Sequence, residues 1–210
     1  MSASPTLEQR LADTRTALAR TTPRERADLI GWTPGTLAAR LGVSTGTGRD
    51  MLREHRPDGR VSAWLLTLAA GHETWRIGSD ELFDEPPPSP LAERLLSAER
   101  KLRQTERKQL VSAIGWTVPI LAERISVLVE NEREMAKRGM AKIVVDEDLL
   151  EDARARERLR QAHRYLDRRW RPSDVDALIR RLAAWHLLYP KPARWKEEGK
   201  PGACPTLSRA

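Results

Sequence analysis

The chain contains an internal repeat at an offset of 84 residues, and this repeat constrains the fold more than any other feature. The tetrapeptide Ile-Gly-Trp-Thr at 30–33 recurs at 114–117, and the pattern Leu-Ala-x-Arg at 37–40 recurs at 121–124. Further identities in the same register extend the match without a gap over residues 7–66. Such a run of identities indicates two copies of one supersecondary unit, which arose by duplication.

The composition favours helices in both copies. Leu, Ala and Arg dominate, β-branched residues are sparse, and aromatic residues make up only 5% of the chain. Thr6 and Gln9 have the spacing of a capping box, and Ser89 precedes a proline suited to the first helical position. The sequence therefore predicts an all-α fold, with tandem helix-turn-helix units and C-terminal helices. The opening helices carry leucines on one face, so they pack either against each other or within their own copies.

Five segments are expected along the chain. Residues 1–70 form a helix-turn-helix domain, and residues 91–150 form a second, degenerate unit. The acidic, proline-rich stretch 71–90 between them is typical of a linker, and a docking segment for a basic surface is the alternative. Residues 151–189 are expected to form basic C-terminal helices, and residues 190–210 a mobile tail rich in Pro, Lys and Gly.

The segment 32–52 has the local signals of two short helices joined at a sharp corner. Thr33 is a suitable N-cap for the first helix, which Gly42 ends because glycine adopts the left-handed conformation easily. Ala38 is small enough to let a second helix cross closely, and Ser44 caps that second helix. A short helix, a glycine corner and another short helix constitute a helix-turn-helix.

These residues resemble the lambda-repressor or Cro-like helix-turn-helix family, often called the XRE family, whose members are DNA-binding regulators. The resemblance covers residues 24–70, and it departs from the family at Pro34, where many members carry a glutamine that contacts phosphate. Gly46 and Gly48 lie within the second helix and are expected to weaken it by about 1 kcal/mol each relative to alanine.

The resemblance implies that the helix 45–54 enters the major groove. Arg49 is then the expected base contact, because a guanidinium forks onto O6 and N7 of guanine. Thr33 is expected at a phosphate, which the backbone N–H groups at the start of the first helix would bind. The full set of expected DNA-binding residues is Thr33, Ser44, Thr45, Gly46, Thr47, Arg49, Asp50, Arg53, Arg56 and Arg60.

The second copy has lost several of these features. Ser126 replaces the corner glycine within an apolar stretch, and three glutamates occupy the helix that would read DNA. Arg133, Lys137 and Arg138 remain as candidate contacts. This combination favours dimerisation or docking of a partner such as RNA polymerase, and the rival hypothesis is that both copies read DNA.

The charge balance points to an acidic partner. The formal net charge is +7 and the isoelectric point is near 10.0, which suits nucleic acid, although solubility alone also explains a basic chain. Seven arginines between 154 and 169 either clamp phosphate or form ion pairs on a solvated helix.

Several other classes of function find no support in the sequence. Cys204 is the only cysteine, the four histidines are scattered, and no phosphate-binding loop is present, so we expect no metal, no cofactor and no enzyme activity. No apolar run is long enough for a membrane span, so a soluble, cytoplasmic protein without a membrane partner is expected.

Taken with the resemblance, these features predict a sequence-specific regulator of transcription that binds double-stranded DNA, of bacterial, phage or plasmid origin. The further partners that these features predict are a second copy of the chain, as a homodimer, and RNA polymerase or another regulator. The alternative is a non-catalytic interaction or assembly factor that uses its helix-turn-helix units as packing modules.

Overall fold

The structure is a computed structural model that describes residues 5–53, 59–75, 88–125, 147–167 and 173–192. Within these ranges every regular element is an α-helix, which confirms the predicted all-α class. Of the predicted tail 190–210, the part from residue 193 onward lies outside the described residues.

The described ranges contain ten helices, numbered here in chain order. They are α1 (Leu7–Leu18), α2 (Pro23–Ile30), α3 (Pro34–Leu41), α4 (Thr45–Met51), α5 (Gly59–Thr74), α6 (Pro90–Lys101), α7 (Arg107–Ile114), α8 (118–125 as far as described), α9 (Glu147–Leu166) and α10 (Ser173–Leu188). The long helix expected from about residue 149 corresponds to α9, and the helix expected to end near Leu188 corresponds to α10.

Local capping signals place the helix starts where the sequence predicts them. Thr6 and Gln9 form a reciprocal capping box at the start of α1. Ser89 accepts a hydrogen bond from the amide of Ala92 at the start of α6. Because each cap satisfies backbone N–H groups that have no partner inside the helix, these residues fix the boundaries locally.

The two copies build equivalent cores from helices that are not spaced equally along the chain. In the first copy α1 and α2 pack on α5, and in the second copy α6 and α7 pack on α10. Helix α10 therefore has the role in the second copy that α5 has in the first. It belongs to that core and is not a separate C-terminal segment.

A second sequence match supports this equivalence. The pattern Leu-Ala-Ala-x-His at 68–72 in α5 recurs at 182–186 in α10, an offset of 114 residues. Since 114 exceeds 84 by 30, the second copy carries about one extra helix, α9, between α8 and α10. At the offset of 84, Leu65 and Leu66 of α5 align with Leu149 and Leu150. The packing does not follow this alignment, because residues 149 and 150 lie at the start of α9 and not in α10.

The predicted linker also begins later than expected. Helix α5 continues through Thr74, and the following Trp75 is only 1% exposed. Gly71, expected to start the linker, lies inside the helix against the indole of Trp185, where a Cβ would collide with the ring. Residues 71, 72, 74 and 75 are thus buried, and residues 76–87 lie outside the described ranges.

The described residues contain no helix with the length and the apolar character of a membrane span. They also contain no group of three or more histidine, cysteine, aspartate or glutamate side chains placed to hold a metal ion.

Candidate nucleic-acid interface

Helices α3 and α4 form the helix–corner–helix that the sequence predicts. The hydroxyl of Thr33 accepts a hydrogen bond from the amide of Thr36 at the start of α3. Gly42 ends α3 with φ of 76°, in the left-handed region, and Ser44 then caps α4 by accepting a hydrogen bond from the amide of Thr47. The path of the chain through this corner thus follows from its capping residues.

The two helices cross at Gly48 of α4. A Cβ at this position would lie 2.6 Å from the carbonyl oxygen of Pro34 and 2.9 Å from the Cβ of Ala38. Gly48 therefore permits the close approach of the two helices. The sequence predicts a close crossing at Ala38 but does not identify Gly48 as the residue of α4 that allows it. Because α4 crosses the first turn of α3, the crossing also brings Thr33 and α4 to neighbouring positions.

Substituting the two glycines of α4 by alanine should have opposite effects. Gly48→Ala is expected to lower the free energy of unfolding by roughly 1–3 kcal/mol, because the added methyl group overlaps α3. Gly46→Ala is the matched control and should raise it by up to about 1 kcal/mol, since its nearest neighbour would be the Ser44 hydroxyl at 3.7 Å. Urea unfolding measures both, and equal effects would contradict the crossing.

The face of α4 that points away from α3 is open to solvent. Ser44, Thr45, Gly46 and Arg49 are exposed, while Thr47 is half-buried. The opposite face is buried, with Met51 only 5% exposed. The side chains expected in the major groove therefore lie together on one open face, although the Ser44 and Thr47 hydroxyls are engaged with each other at 2.9 Å.

The remaining expected DNA-binding residues fall into three groups. Asp50 and Arg53 are both exposed and form an ion pair at 3.4 Å, which is weak at such exposure. Thr33 is exposed at the start of α3, and Arg60 is exposed in the first turn of α5. Outside the described residues lie Arg56 and the second-copy candidates Arg133, Lys137 and Arg138.

The two copies contact each other through reciprocal hydrogen bonds that sequence reasoning missed. The indole Nε1 of Trp32 donates to the carbonyl oxygen of Ile114 at 2.8 Å. The indole Nε1 of Trp116 donates to the carbonyl oxygen of Ile30 at 2.6 Å. The two donors are 84 positions apart in the sequence, and so are the two acceptors. The contact therefore has the isologous form of a two-fold dimer, made within a single chain.

The repeated arginines, Arg40 and Arg124, also each donate hydrogen bonds to the other copy. Arg40 Nη2 donates to the carbonyl oxygens of Ser112 and Ala113 in the last turn of α7. Arg124 Nη2 donates to the carbonyl oxygens of residues 28 and 29 in the last turn of α2, each at 2.9 Å. A guanidinium at a helix C-terminus satisfies unpaired carbonyl groups and matches the negative end of the helix dipole.

Two histidines at matching positions of α5 and α10 lie close together. The Nε2 atoms of His72 and His186 are 3.0 Å apart, so one nitrogen donates and the other accepts. Burial lowers the pKa of His72 well below its ordinary value, and His186 and Arg124 lower it further. Burial, followed by the charge of Arg40, lowers the pKa of His186 to about 3. Both rings are therefore neutral at pH 7.

A groove of about 990 Å³ lies between the copies, beside the start of α3. Thr33, Thr36 and Arg40 line one side, Lys108 and Ser112 of α7 line another, and His163 of α9 borders it. The end of α9 is anchored there by Tyr165, whose hydroxyl donates to Asp176 at 2.9 Å and whose carbonyl oxygen accepts from Arg107 at 2.8 Å. Burial, together with the neighbouring charge of Asp176, raises the pKa of Tyr165.

No family model matches the chain, and neither a curated protein nor a solved structure shows significant similarity to it.

Proposed function

We propose that this protein is a sequence-specific regulator that binds double-stranded DNA by placing α4 in the major groove. The observation that carries the proposal is the open face of α4, which presents Thr45 and Arg49 while the opposite face is fixed on α3 through Gly48. A short helix held rigidly on a second helix, with polar side chains outward, has the geometry that major-groove readers use.

The charge of the chain supports a nucleic-acid partner. The net charge of +7 favours association with phosphates, and the exposed Arg49 has the guanidinium that guanine accepts through two hydrogen bonds. Lys108 and Arg40 add positive charge to the groove beside α3, although Asp167 lies 3.7 Å from Lys108. The local cations therefore favour an anionic partner beside the open face of α4.

The reciprocal contact between the copies bears on how many chains bind one DNA site. Regulators of this type commonly bind as dimers with palindromic sites. Here the two-fold contact is made within one chain by Trp32 and Trp116, on a side that leaves the outer face of α4 open. We therefore propose a monomer that reads an asymmetric site through its first copy, while its second copy supports it or docks a partner such as RNA polymerase.

Fluorescence anisotropy on labelled oligonucleotides tests the DNA-binding class. A duplex should be preferred over the corresponding single strands, and its affinity should fall steeply as salt rises, because bound phosphates release counterions. A preference for single strands would instead favour base stacking and would contradict insertion of α4 into a groove. Absence of nucleic-acid binding at low salt would remove the proposal.

The division of labour between the copies has its own test, once a preferred duplex is in hand. Arg49→Ala is expected to weaken that duplex by roughly ten-fold or more, since a bidentate guanine contact is worth about 1–3 kcal/mol. Arg133→Ala should have little effect if the second copy does not read bases, and Arg94→Ala on α6 is the exposed control. Equal losses for Arg49→Ala and Arg133→Ala would show that both copies read DNA.

One observation favours the alternative, a non-catalytic interaction or assembly factor. The repeated tetrapeptides serve to pack the copies together, so the units act as packing modules at least toward each other. If that is their only role, the groove beside α3 is the surface for a protein partner. Substitution of Arg49 would then leave partner binding unchanged, whereas substitutions lining the groove would weaken it.

A further inference from the structure

A small pocket of about 220 Å³ lies where the end of α6 meets α10, apart from α4 and from the groove. Its lining consists of Leu96, Glu99, Arg100, Arg103 and Arg180. Three of these five lining residues are arginines, so three cationic side chains border a space of small-molecule size. Like charges in one pocket repel each other unless an anion joins them.

The only acidic side chain in the lining is already engaged. Glu99 Oε1 lies 2.8 Å from Arg181 Nε in a pair whose side chains are both less than one fifth exposed. Within the described part of the chain, no ion pair joins Arg100, Arg103 or Arg180 to a carboxylate. The Nε atom of Arg180 is buried without a hydrogen-bond partner. The pocket thus has donors and positive charge without matching acceptors.

Comparison of the two copies shows that the shared fold does not require these arginines. Subtracting the offset of 84 for α6 and of 114 for α10 gives Thr16, Ala19 and Leu66 as the first-copy counterparts of Arg100, Arg103 and Arg180. None of the three counterparts carries a charge. The same helix packing is therefore built in the first copy without a cation at these three positions, and the three arginines are specific to the second copy.

We propose that Arg100, Arg103 and Arg180 bind a phosphate group in this pocket. A planar guanidinium donates two parallel hydrogen bonds to phosphate oxygens, and three of them satisfy a tetrahedral oxyanion from several sides. The phosphate belongs either to a free phosphorylated small molecule or to the backbone of bound nucleic acid. The first source does not depend on the proposed function, and the second would extend the proposed DNA interface to the second copy.

The test uses the full-length chain and a variant that carries the first-copy residues, R100T/R103A/R180L. A control variant, R15A/R20A/R94A, loses the same three charges from exposed positions outside the pocket. Inorganic phosphate is titrated into each protein without nucleic acid, with binding followed by isothermal titration calorimetry and by ³¹P NMR. Binding of a random-sequence duplex is then measured against salt concentration. Because Arg180 is half-buried, the single variants R100T and R103A at exposed positions keep the test informative if the triple variant is unstable.

We expect the native protein and the control to bind phosphate saturably, and the pocket variants to bind it at least ten-fold more weakly. A loss confined to inorganic phosphate identifies a small-molecule source. An additional decrease in duplex affinity, with a salt slope reduced by up to about 3 beyond the control, identifies backbone phosphates. If native and pocket variants behave alike in both titrations, the proposal is overturned. Base discrimination by Arg49 is a separate readout, so either proposal can fail without the other.

Discussion

Replacing Trp32 by alanine is expected to lower the free energy of unfolding by about 3–5 kcal/mol, the range for removing a large buried aromatic side chain. Trp32 is only 1% exposed and packs at ring-centroid distances of 5.3 Å from Trp64 and 5.5 Å from His186. Its removal also leaves the carbonyl oxygen of Ile114 without its 2.8 Å donor. One substitution thus affects the first copy and the contact with the second copy together.

Urea unfolding of paired variants checks this expectation. Trp116→Ala should cost a similar amount, because Trp116 makes the equivalent hydrogen bond to Ile30 and is 6% exposed. Trp32→Phe is the control that keeps most of the packing and removes the indole donor, and it should cost about 1–2 kcal/mol. A loss below about 1 kcal/mol for either alanine variant would show that the copies do not share this contact.

Lowering the pH from 7 to 5 is expected to destabilise the protein through the histidine pair. The folded-state pKa of both His72 and His186 is lowered, so below about pH 6.5 the unfolded chain binds more protons than the folded chain. Stability is therefore complete above about pH 6.5 and falls as the pH decreases toward the folded pKa. With a folded pKa of about 3, His186 alone loses about 2 kcal/mol at pH 5, and His72 adds a loss in the same direction.

Urea unfolding at several pH values between 5 and 7.5 measures this loss. The double variant H72Q/H186Q should have a lower stability at pH 7 but a much flatter dependence on pH, because its amides do not titrate in this range. His163→Gln is the exposed control and should keep the native dependence. If the double variant kept the full decrease toward pH 5, the destabilisation would come from groups other than the pair.

The helices and their corners were predictable because local chemistry determines them. Thr33, Gly42 and Ser44 satisfy or release backbone groups within a few residues, so their roles could be assigned without knowledge of the tertiary fold. The all-α class followed from the same signals. The boundaries of the segments were harder to predict from the sequence, since the burial of residues 71, 72, 74 and 75 depends on the distant Trp185.

The contact between the copies was not predictable from periodicity, because a repeated residue is compatible with both a repeated core and an interface. Trp32 and Trp116 are buried as core residues are, but each donates its hydrogen bond to the other copy. The repeated Arg40 and Arg124 were a sequence signal from which this contact could have been inferred. A polar residue repeated beside a repeated tetrapeptide suggests a role that both copies need, and here it is to bind the neighbouring helix end.

The candidate DNA interface was predicted in part. The resemblance grouped Thr45 and Arg49 on one face, and the structure leaves that face exposed. Gly48 was expected to weaken α4, whereas its missing side chain permits the crossing with α3. The pocket arginines were missed because Arg180 and Arg100 are 80 positions apart, and only the offset of 114 between α5 and α10 shows that the first copy lacks them.

The most direct test of the central claim is selection of duplex DNA from a random library at about 150 mM salt, with Arg49→Ala and Arg94→Ala run beside the native protein. We expect a defined, non-palindromic motif that the native protein and Arg94→Ala share and that Arg49→Ala loses. Weak, salt-sensitive binding without any motif, unchanged by Arg49→Ala, would mean that charge alone attracts the DNA and would contradict reading of the major groove by α4.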